Sequence, residues 1–348
     1  MTKKLVPGKL PPDLLSRVLS MFPHLDQRVV VGPGIGVDCA VVDMGSTLWV
    51  IKSDPITFAT DQIGWYLVQV NTNDLATTGA VPRWLTITLL LPENSATDDL
   101  VNQIAGQVSQ ASLEKGITVI GGHTEITTGI DRPILMGTLI GEVQPANFIK
   151  PGNCSPGDRV LVTKSAAIEA TALLARELPN QVLQVLDPQE VAEAANYLYR
   201  PGISVLEDAK IACTAGGVTA MHDPTEGGIA TALWELAEAS QHTLRIRPST
   251  IPITPLTALI CKHFKIDPLA SISSGALLIA AAPGAAGKVI EELQGAGIQC
   301  TDIGIIEEGP PLVIDEDSQD TGLLPRPARD EIARIFESQA NPDFPSRQ

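Results

Sequence analysis

Hydrophobic positions along the chain switch repeatedly between two rhythms. In "PPDLLSRVLSMF" the apolar residues Leu14, Leu15, Val18, Leu19 and Phe22 recur at helical spacing behind a proline start, which predicts a short helix over roughly 12–22. Short β-branched runs punctuated by glycine come next: "RVVV", "DCAVVD" and "TLWVIKSD", then "RWLTITLLL" and "PILMGTLIGEV" further on, all read as strands. Helices fit between them at about 61–80 and 97–115. One stretch breaks the pattern: "VNTNDLATTGAVPRW", Val70 to Trp84, puts two Asn and one Asp where the flanking apolar residues predict helix.

The Pro-, Gly-, Asn- and Ser-rich run "NFIKPGNCSPGDRV" follows the end of a strand pattern and is the best linker, so the chain divides near 150. The second half alternates again. "DRVLVTKS" reads as a strand, 166–178, 188–199 and 203–213 as helices, "IATALWELAEAS" as a helix, "ALLIAAAP" as a buried strand and "AGKVIEELQGAG" as the helix after it. The class is therefore α/β or α+β in two domains, 1–150 and 151–326, with a tail over 327–348. "ARDEIARIF" in that tail has helical spacing, and pattern alone leaves open whether it docks or stays exposed.

Composition narrows the function classes. The chain has 348 residues, 44% hydrophobic and 18% charged, which is the make-up of a globular protein long enough for two cores. A net charge of −16 argues against a nucleic-acid backbone or an anionic membrane as the main partner. An acidic chain can still take a polyphosphate when its carboxylates hold a cation and the cation holds the phosphates. The five cysteines are scattered with no C-x-x-C pair, and read as reduced thiols of the cytoplasm. With no apolar leader before the first prolines and no run of about 18 apolar residues, the expectation is a soluble cytoplasmic protein.

Five polar clusters interrupt apolar segments: "GPGIGVDCA" with Asp38, "IKSDP" with Asp54, "NTNDLATTGAVP" with Asp74, "IGGHTEIT" with His123 and Glu125, and "MHDPTEGG" with Asp223 and Glu226. Each carboxylate stands near a strand end or beside glycine, where a sheet protein can aim side chains into a cleft. Asp38, Asp54 and Asp74 can supply magnesium with oxygens from three elements. Each also has a plainer role, Asp38 and Asp54 as turn residues and Asp74 as the cap of a helix starting near Leu75. That cap would put Asn73 and Asp74 at a helix N-terminus, which favours anions.

"GPGIGVD" can cradle phosphates through its backbone N–H groups, with Gly34 and Gly36 as contacts, yet it is neither a Walker loop nor a Rossmann fingerprint. His123 after Gly121 and Gly122 is either a ligand or, more commonly, a histidine satisfied by a nearby carbonyl; the paired glycines imply close backbone approach. Lys52 lies more naturally on a solvated strand face than on a phosphate. "SSGALLIA" serves equally as a plain turn or as a loop over a ligand. A serine or cysteine hydrolase and a zinc site are disfavoured by the missing local signatures.

Taken in order, "GVDCAVV", "KSDP", "NDLATTGAVP", "GGHTE", "HDPTEGGI", "LICKHFKIDPL", "SSGALLIA" and "LLPR" resemble the aminoimidazole-ribonucleotide-synthetase-like (PurM-like) ATP-binding superfamily, and HypE-type hydrogenase maturation factors most within it. The matching segments run from about 30 to 326. The resemblance implies an N-terminal sheet domain that pairs with a second copy into a barrel, and a C-terminal α/β domain beside it. It further implies ATP and Mg2+ as cofactors, Asp38, Asp54 and Asp74 as metal ligands, and Gly34, Gly36, Asn73, Gly121, Gly122, Thr124 and Thr225 as nucleotide contacts. Asp223 and His123 would be the catalytic groups. The implied chemistry is phosphorylation of a carbonyl or amide oxygen, followed by dehydration or cyclisation. A homodimer and a maturation partner protein are the implied associates.

Two departures stand out. HypE-type proteins carry the reacting group on a C-terminal cysteine after Pro-Arg, whereas here the chain continues past Pro325 and Arg326 and its last cysteine is Cys300. His123 replaces their acid and matches the Gly-Gly-His of selenophosphate synthetases, but no cysteine precedes Cys39. A small-molecule kinase or ligase resembling thiamine-monophosphate kinase is the alternative enzyme, and a non-catalytic nucleotide-binding partner protein the alternative outside catalysis.

Overall fold

The computed structural model describes residues 5, 10–56, 61–319 and 322–340; the last part of the tail, 341–348, lies outside them. Residues 29–143 build the first sheet. After helix α1 (Pro12–Leu19) come strands β1 (Val29–Val31), β2 (Ala40–Asp43) and β3 (Leu48–Ile56), helix α2 (Ile63–Ala76), strand β4 (Val81–Pro92), helix α3 (Asp98–Glu114), and strands β5 (Thr118–Thr127) and β6 (Ile134–Val143). The strands pair in the order β1-β2-β3-β6-β4-β5, antiparallel except for the parallel β4–β5 pair. α3 begins where Thr97 accepts a hydrogen bond from the Leu100 N–H, with Asp98 and Asp99 in the first turn against the helix dipole.

Residues 159–315 build the second sheet. Its elements are β7 (Arg159–Thr163), α4 (Ile168–Glu177), α5 (Pro179–Val182), α6 (Pro188–Ala195), α7 (Leu206–Ala215), β8 (Val218–His222), α8 (Gly228–Ser240), β9 (Thr243–Ile246), α9 (Pro255–Phe264), β10 (Leu278–Ala281), α10 (Ala286–Gly295), β11 (Cys300–Glu307) and β12 (Val313–Asp315). The order is β12-β9-β11-β7-β10-β8, with only β12–β9 parallel. β7 and β10 are buried along almost their whole length because α8 covers one face of the sheet and α7 and α10 the other. Strands β5, β9, β11 and β12 lack a clean period and are not assigned from pattern; helix α9 is not assigned either, although Leu256, Leu259, Ile260 and Phe264 recur at helical spacing behind Thr254 and Pro255.

The two halves share a core. One apolar cluster runs from Val41, Val50, Leu67 and Leu85 through Ile168, Leu173 and Leu174 of α4 to Ile332 and Ile335 of α11 (Glu331–Ala340). α2 lies inside this assembly, and from Ile63 to Ala76 all but Trp65 and Val70 are buried. A helix buried on all sides must satisfy its polar side chains within the protein. Asn73 does so across the seam: its Nδ2 donates to Ile203 O at 2.7 Å, and its Oδ1 accepts from Val205 N at 2.9 Å. Asn71 accepts from the Asp54 N–H at 3.3 Å and donates to Leu67 O at 2.9 Å. Among the described residues no helix is long and apolar enough to cross a membrane.

The tail docks. Leu324 O accepts from Trp234 Nε1 at 3.1 Å, Arg326 pairs with Glu238, and Arg334 donates to Lys265 O at 2.6 Å. Asp330 caps α11 through the Ile332 N–H at 2.8 Å and takes the Gly227 N–H at 2.6 Å, so it holds the loop that follows Asp223. Burial pushes the Asp330 carboxyl up to about 6.

Near it lies Glu169 on α4, fully buried, with Oε2 lacking a hydrogen-bond partner among the described residues. Burial pushes Glu169 up to about 7; Asp330 and Glu226 add repulsion, and the Ser274 hydroxyl opposes the shift. A carboxyl whose folded pKa is raised stabilises the fold fully below its ordinary value near 4.5, and that contribution is lost as pH rises through about 7. Glu169→Gln should therefore exceed the parent in stability at about pH 8 by on the order of 2–3 kcal/mol, and match it near pH 5. Urea unfolding at both pH values checks this; an equal difference at the two would dismiss buried charge as the cause.

Candidate active site at the domain seam

Alternation along β3 puts Leu48, Val50, Lys52, Asp54 and Ile56 on one face, toward α2. Lys52 is therefore directed inward, with a side chain only 15% exposed, instead of lying on the solvated face that pattern suggested. Its Nζ stands 3.2 Å from Asp54 Oδ2 and 3.3 Å from Asp74 Oδ1. In-phase spacing with Leu48 and Val50 was the available signal. Asp74 is buried in the last turn of α2, so the expected helix N-terminus at Asn73 and Asp74 is corrected to a helix C-terminus. An acid there is disfavoured by the helix dipole, and Lys52 supplies the compensation.

The second group converges from both domains. Asp38 ends the glycine-rich loop between β1 and β2. Gly36 in that loop has φ +69, and a Cβ there would come 2.9 Å from Glu235 O, so glycine lets the loop lie against α8. His222, closing β8, has Nδ1 3.0 Å from Asp38 Oδ2 and Nε2 2.9 Å from Glu235 Oε2. Asp38, His222 and Asp223 offer ligand atoms that all lie within 4.8 Å of one another. Asp223 is 1% exposed, and neither of its oxygens has a hydrogen-bond partner among the described residues; the same holds for Asp74 Oδ2.

The electrostatics follow from burial. Burial drives Asp74 well above the usual carboxylate range despite Lys52, with Asp223, Asp54 and Asp38 repelling it. Burial and then Asp38 push Asp223 up to about 7. Burial opposes charge on His222 and on Lys52, yet neighbouring carboxylates outweigh it at both: Asp38 and Glu235 at the histidine, Asp74, Asp54 and Asp38 at the lysine. The oxygens of Asp223 and Asp74 Oδ2 are buried and lack donors among the described residues, which suits a hard divalent cation, and Asp38, half-buried and held by His222, lies close enough to Asp223 to share it. Asp54 and the other Asp74 oxygen are engaged by Lys52.

Other candidates stand elsewhere. Asn73 is consumed as the clamp across the seam. Gly34 stays in the Asp38 loop, and Thr225 lies in the loop after Asp223, where its carbonyl accepts from Gly228 N at 3.0 Å. Gly121, Gly122, His123 and Thr124 lie on edge strand β5, three strand positions from β3 in the sheet order and so roughly 14 Å away at ordinary strand spacing. His123 is exposed and pairs with Glu125 at 3.0 Å. Gly122 is required by packing, since a Cβ there would meet Ile87 O at 1.9 Å. His222 and Glu235 were missed: His222 adjoins Asp223 within a quoted motif, whereas nothing local marks Glu235 on α8. Lys164 was missed as well, a buried cation held by Asp208 at 3.1 Å and by the Ser204 and Gly275 carbonyls.

Removing the shared cation should expose the cost of the acids. Lys52→Met is expected to lower stability by roughly 3–5 kcal/mol, and adding Asp74→Asn to recover part of that loss. Urea unfolding of the parent, both single variants and the double variant checks this, and strictly additive effects would rule out the pairing.

Comparison with known proteins bears on the whole of this architecture. The family model described as AIR synthase related protein, N-terminal domain, matches residues 36–143, and its C-terminal counterpart matches 155–316. A protein of Methanocaldococcus jannaschii, named as a candidate hydrogenase expression/formation protein, is 31% identical over 78% of this chain and 80% of its own. Carbamoyl dehydratase HypE of Rhizobium leguminosarum is 29% identical over 68% of this chain and 65% of its own. Among solved structures, hydrogenase maturation protein HypE in complex with ATP superposes with a TM-score of 0.66 at 20% identity, over 89% of this chain and 90% of that one, a likeness of fold. With both domain models matched in order and a 31% identical relative spanned over most of its length, the chain belongs to the AIR synthase related, PurM-like family, close to HypE.

Proposed function

We propose that this protein is an ATP- and Mg2+-dependent enzyme acting in hydrogenase maturation, which activates a carbonyl or amide oxygen by phosphorylation so that water is lost or a ring closes. The observation that carries the reading is the unpartnered Asp223 carboxylate beside Asp38, buried where two domains meet. The names of the relatives and the ATP-bound HypE structure support the nucleotide and the pathway. Bound Mg2+ would neutralise phosphate charge and favour phosphoryl transfer.

The chain's own residues do the positioning. Asp38 and Asp223 hold the cation from opposite domains. His222, anchored by Glu235, keeps Asp38 turned toward Asp223. Lys52 holds Asp54 and Asp74 in place and supplies positive charge at the edge of the acidic centre. Asp330 fixes the Gly227 end of the loop that carries Thr225. This work is orientation and charge compensation, which phosphoryl transfer needs more than a nucleophile. Five free thiols fit a reducing, cytoplasmic setting.

ATP titrated calorimetrically should bind with Mg2+ and fail to bind in EDTA, and Asp223→Asn should weaken the Mg2+-dependent binding by about tenfold or more. ATP binding indifferent to both Mg2+ and Asp223 would sink the site. In turnover with a carbamoyl-bearing acceptor, free phosphate and a dehydrated product support activation, whereas a stable phosphorylated acceptor indicates a kinase.

A homodimer through β5 belongs to the same proposal. This edge strand exposes Ile120 at 56% and Ile126 at 64%, beside Val119, an open apolar edge that a second copy would cover. Pairing there would also cover His123 and Thr124. Ile120→Asp with Ile126→Asp should shift the mass measured by light scattering from two chains to one; an unchanged mass would exclude this edge.

A further inference from the structure

Asp74 faces the acidic centre, and Ala76, two positions on, lies on the opposite side of the helix and borders a different opening. This crevice of about 680 Å³ lies between the two domains, bounded by the end of α2 and start of β4 on one side and by α7 and the start of β8 on the other. Ala76, Ile149, Leu206 and Val218 give it an apolar lining, and Lys115, Lys210 and Glu207 a polar one. Lys210 pairs with Glu207 at 3.3 Å. Lys115 does not share that arrangement. Its Nζ donates to the Ser204 hydroxyl at 3.0 Å, and among the described residues it has no carboxylate partner.

Burial lowers the Lys115 ammonium to about 8, with Glu114 and Glu207 drawing it back up, so the charge is present at neutral pH and poorly compensated. A cation in that position lowers its free energy by gaining an anion. The adjoining apolar lining favours a ligand that also buries carbon. We propose that the crevice is a binding site for a small amphipathic anion whose carboxylate or phosphate contacts Lys115 and whose apolar body lies against Ala76, Leu206 and Val218. The site is separate from the acidic centre, contains none of its carboxylates, and needs no metal. Because its walls come from both domains, an occupant touches both.

Cys213 provides the readout. It lines the crevice and is half-buried, while Cys39, Cys154, Cys261 and Cys300 are buried. The rate of Cys213 alkylation by iodoacetamide, a neutral reagent, is followed by peptide mass spectrometry in EDTA without nucleotide. Phenyl phosphate, benzoate and neutral benzyl alcohol serve as probes. Phenyl phosphate or benzoate should slow alkylation saturably, and which of them does so identifies the anion; benzyl alcohol should not. Lys115→Gln should raise the half-protecting concentration about tenfold, and Lys115→Arg should restore it. If Lys115→Gln does not fold, Lys210→Gln, at an exposed position, should weaken protection about two- to threefold. The proposal is overturned if neither anion protects up to about 10 mM, if benzyl alcohol protects equally, or if protection is the same in the folded lysine-to-glutamine variant as in the parent.

Discussion

Lys52 stands between two carboxylates from different elements, Asp54 on its own strand and Asp74 on the helix packed over it. Without that ammonium the last turn of α2 would bring a nearly dry carboxylate to a helix C-terminus, where both solvation and the dipole oppose it. With it, α2 can lie flat on β3 and carry polar side chains into a space closed on every side. Asn71 and Asn73 then find backbone partners at fixed distances, one on β3 and one across the seam. The register of the helix over the sheet and the meeting of the two domains are thus tied to the same contact.

The second acidic group is built differently. Asp38 and Glu235 share His222, and this chain of three side chains joins the loop after β1 to α8. Asp223 is left beside it with no donor of its own among the described residues. Folding ordinarily removes such a group or pairs it, since an unsatisfied buried carboxylate costs stability. Single oxygens of Asp74 and Glu169 are also left without donors among the described residues, but at Asp223 both oxygens are, directly beside Asp38 and His222. The seam is therefore the place where an added cation would gain most, and the compensated Lys52 group is where it would gain least.

Much of the architecture was legible beforehand. Helical spacing placed α2, α3, α4, α6, α8 and α10 within a few residues, and β-branched runs placed β2, β3, β4, β6, β7 and β10. β5 was harder, because "IGGHTEIT" mixes glycine and polar residues and is exposed up to its last residue, Thr127, so no buried face imposes a period. In the site, the ordered acidic motifs picked out Asp38, Asp54, Asp74 and Asp223, which the fold does bring to one region. The same motifs grouped His123 with them, although it stands on the far edge of the sheet. Motif order records that segments belong to one family and carries no distance.

The sequence by itself determined the family, the two-domain α/β character and the inventory of acids, because these depend on residue type and local spacing. Whether Lys52 pointed inward followed from the strand period, once that period was applied to it. Only the tertiary structure decided that Asp74 shares Lys52 with Asp54 while Asp38 stands with Asp223. It alone showed His222 and Glu235 completing the second group, Asn73 serving as a clamp, and the tail docking through Asp330. These are contacts between residues far apart in the chain. They are fixed by how helices cover sheets and how two domains share one core, and no local pattern encodes that geometry.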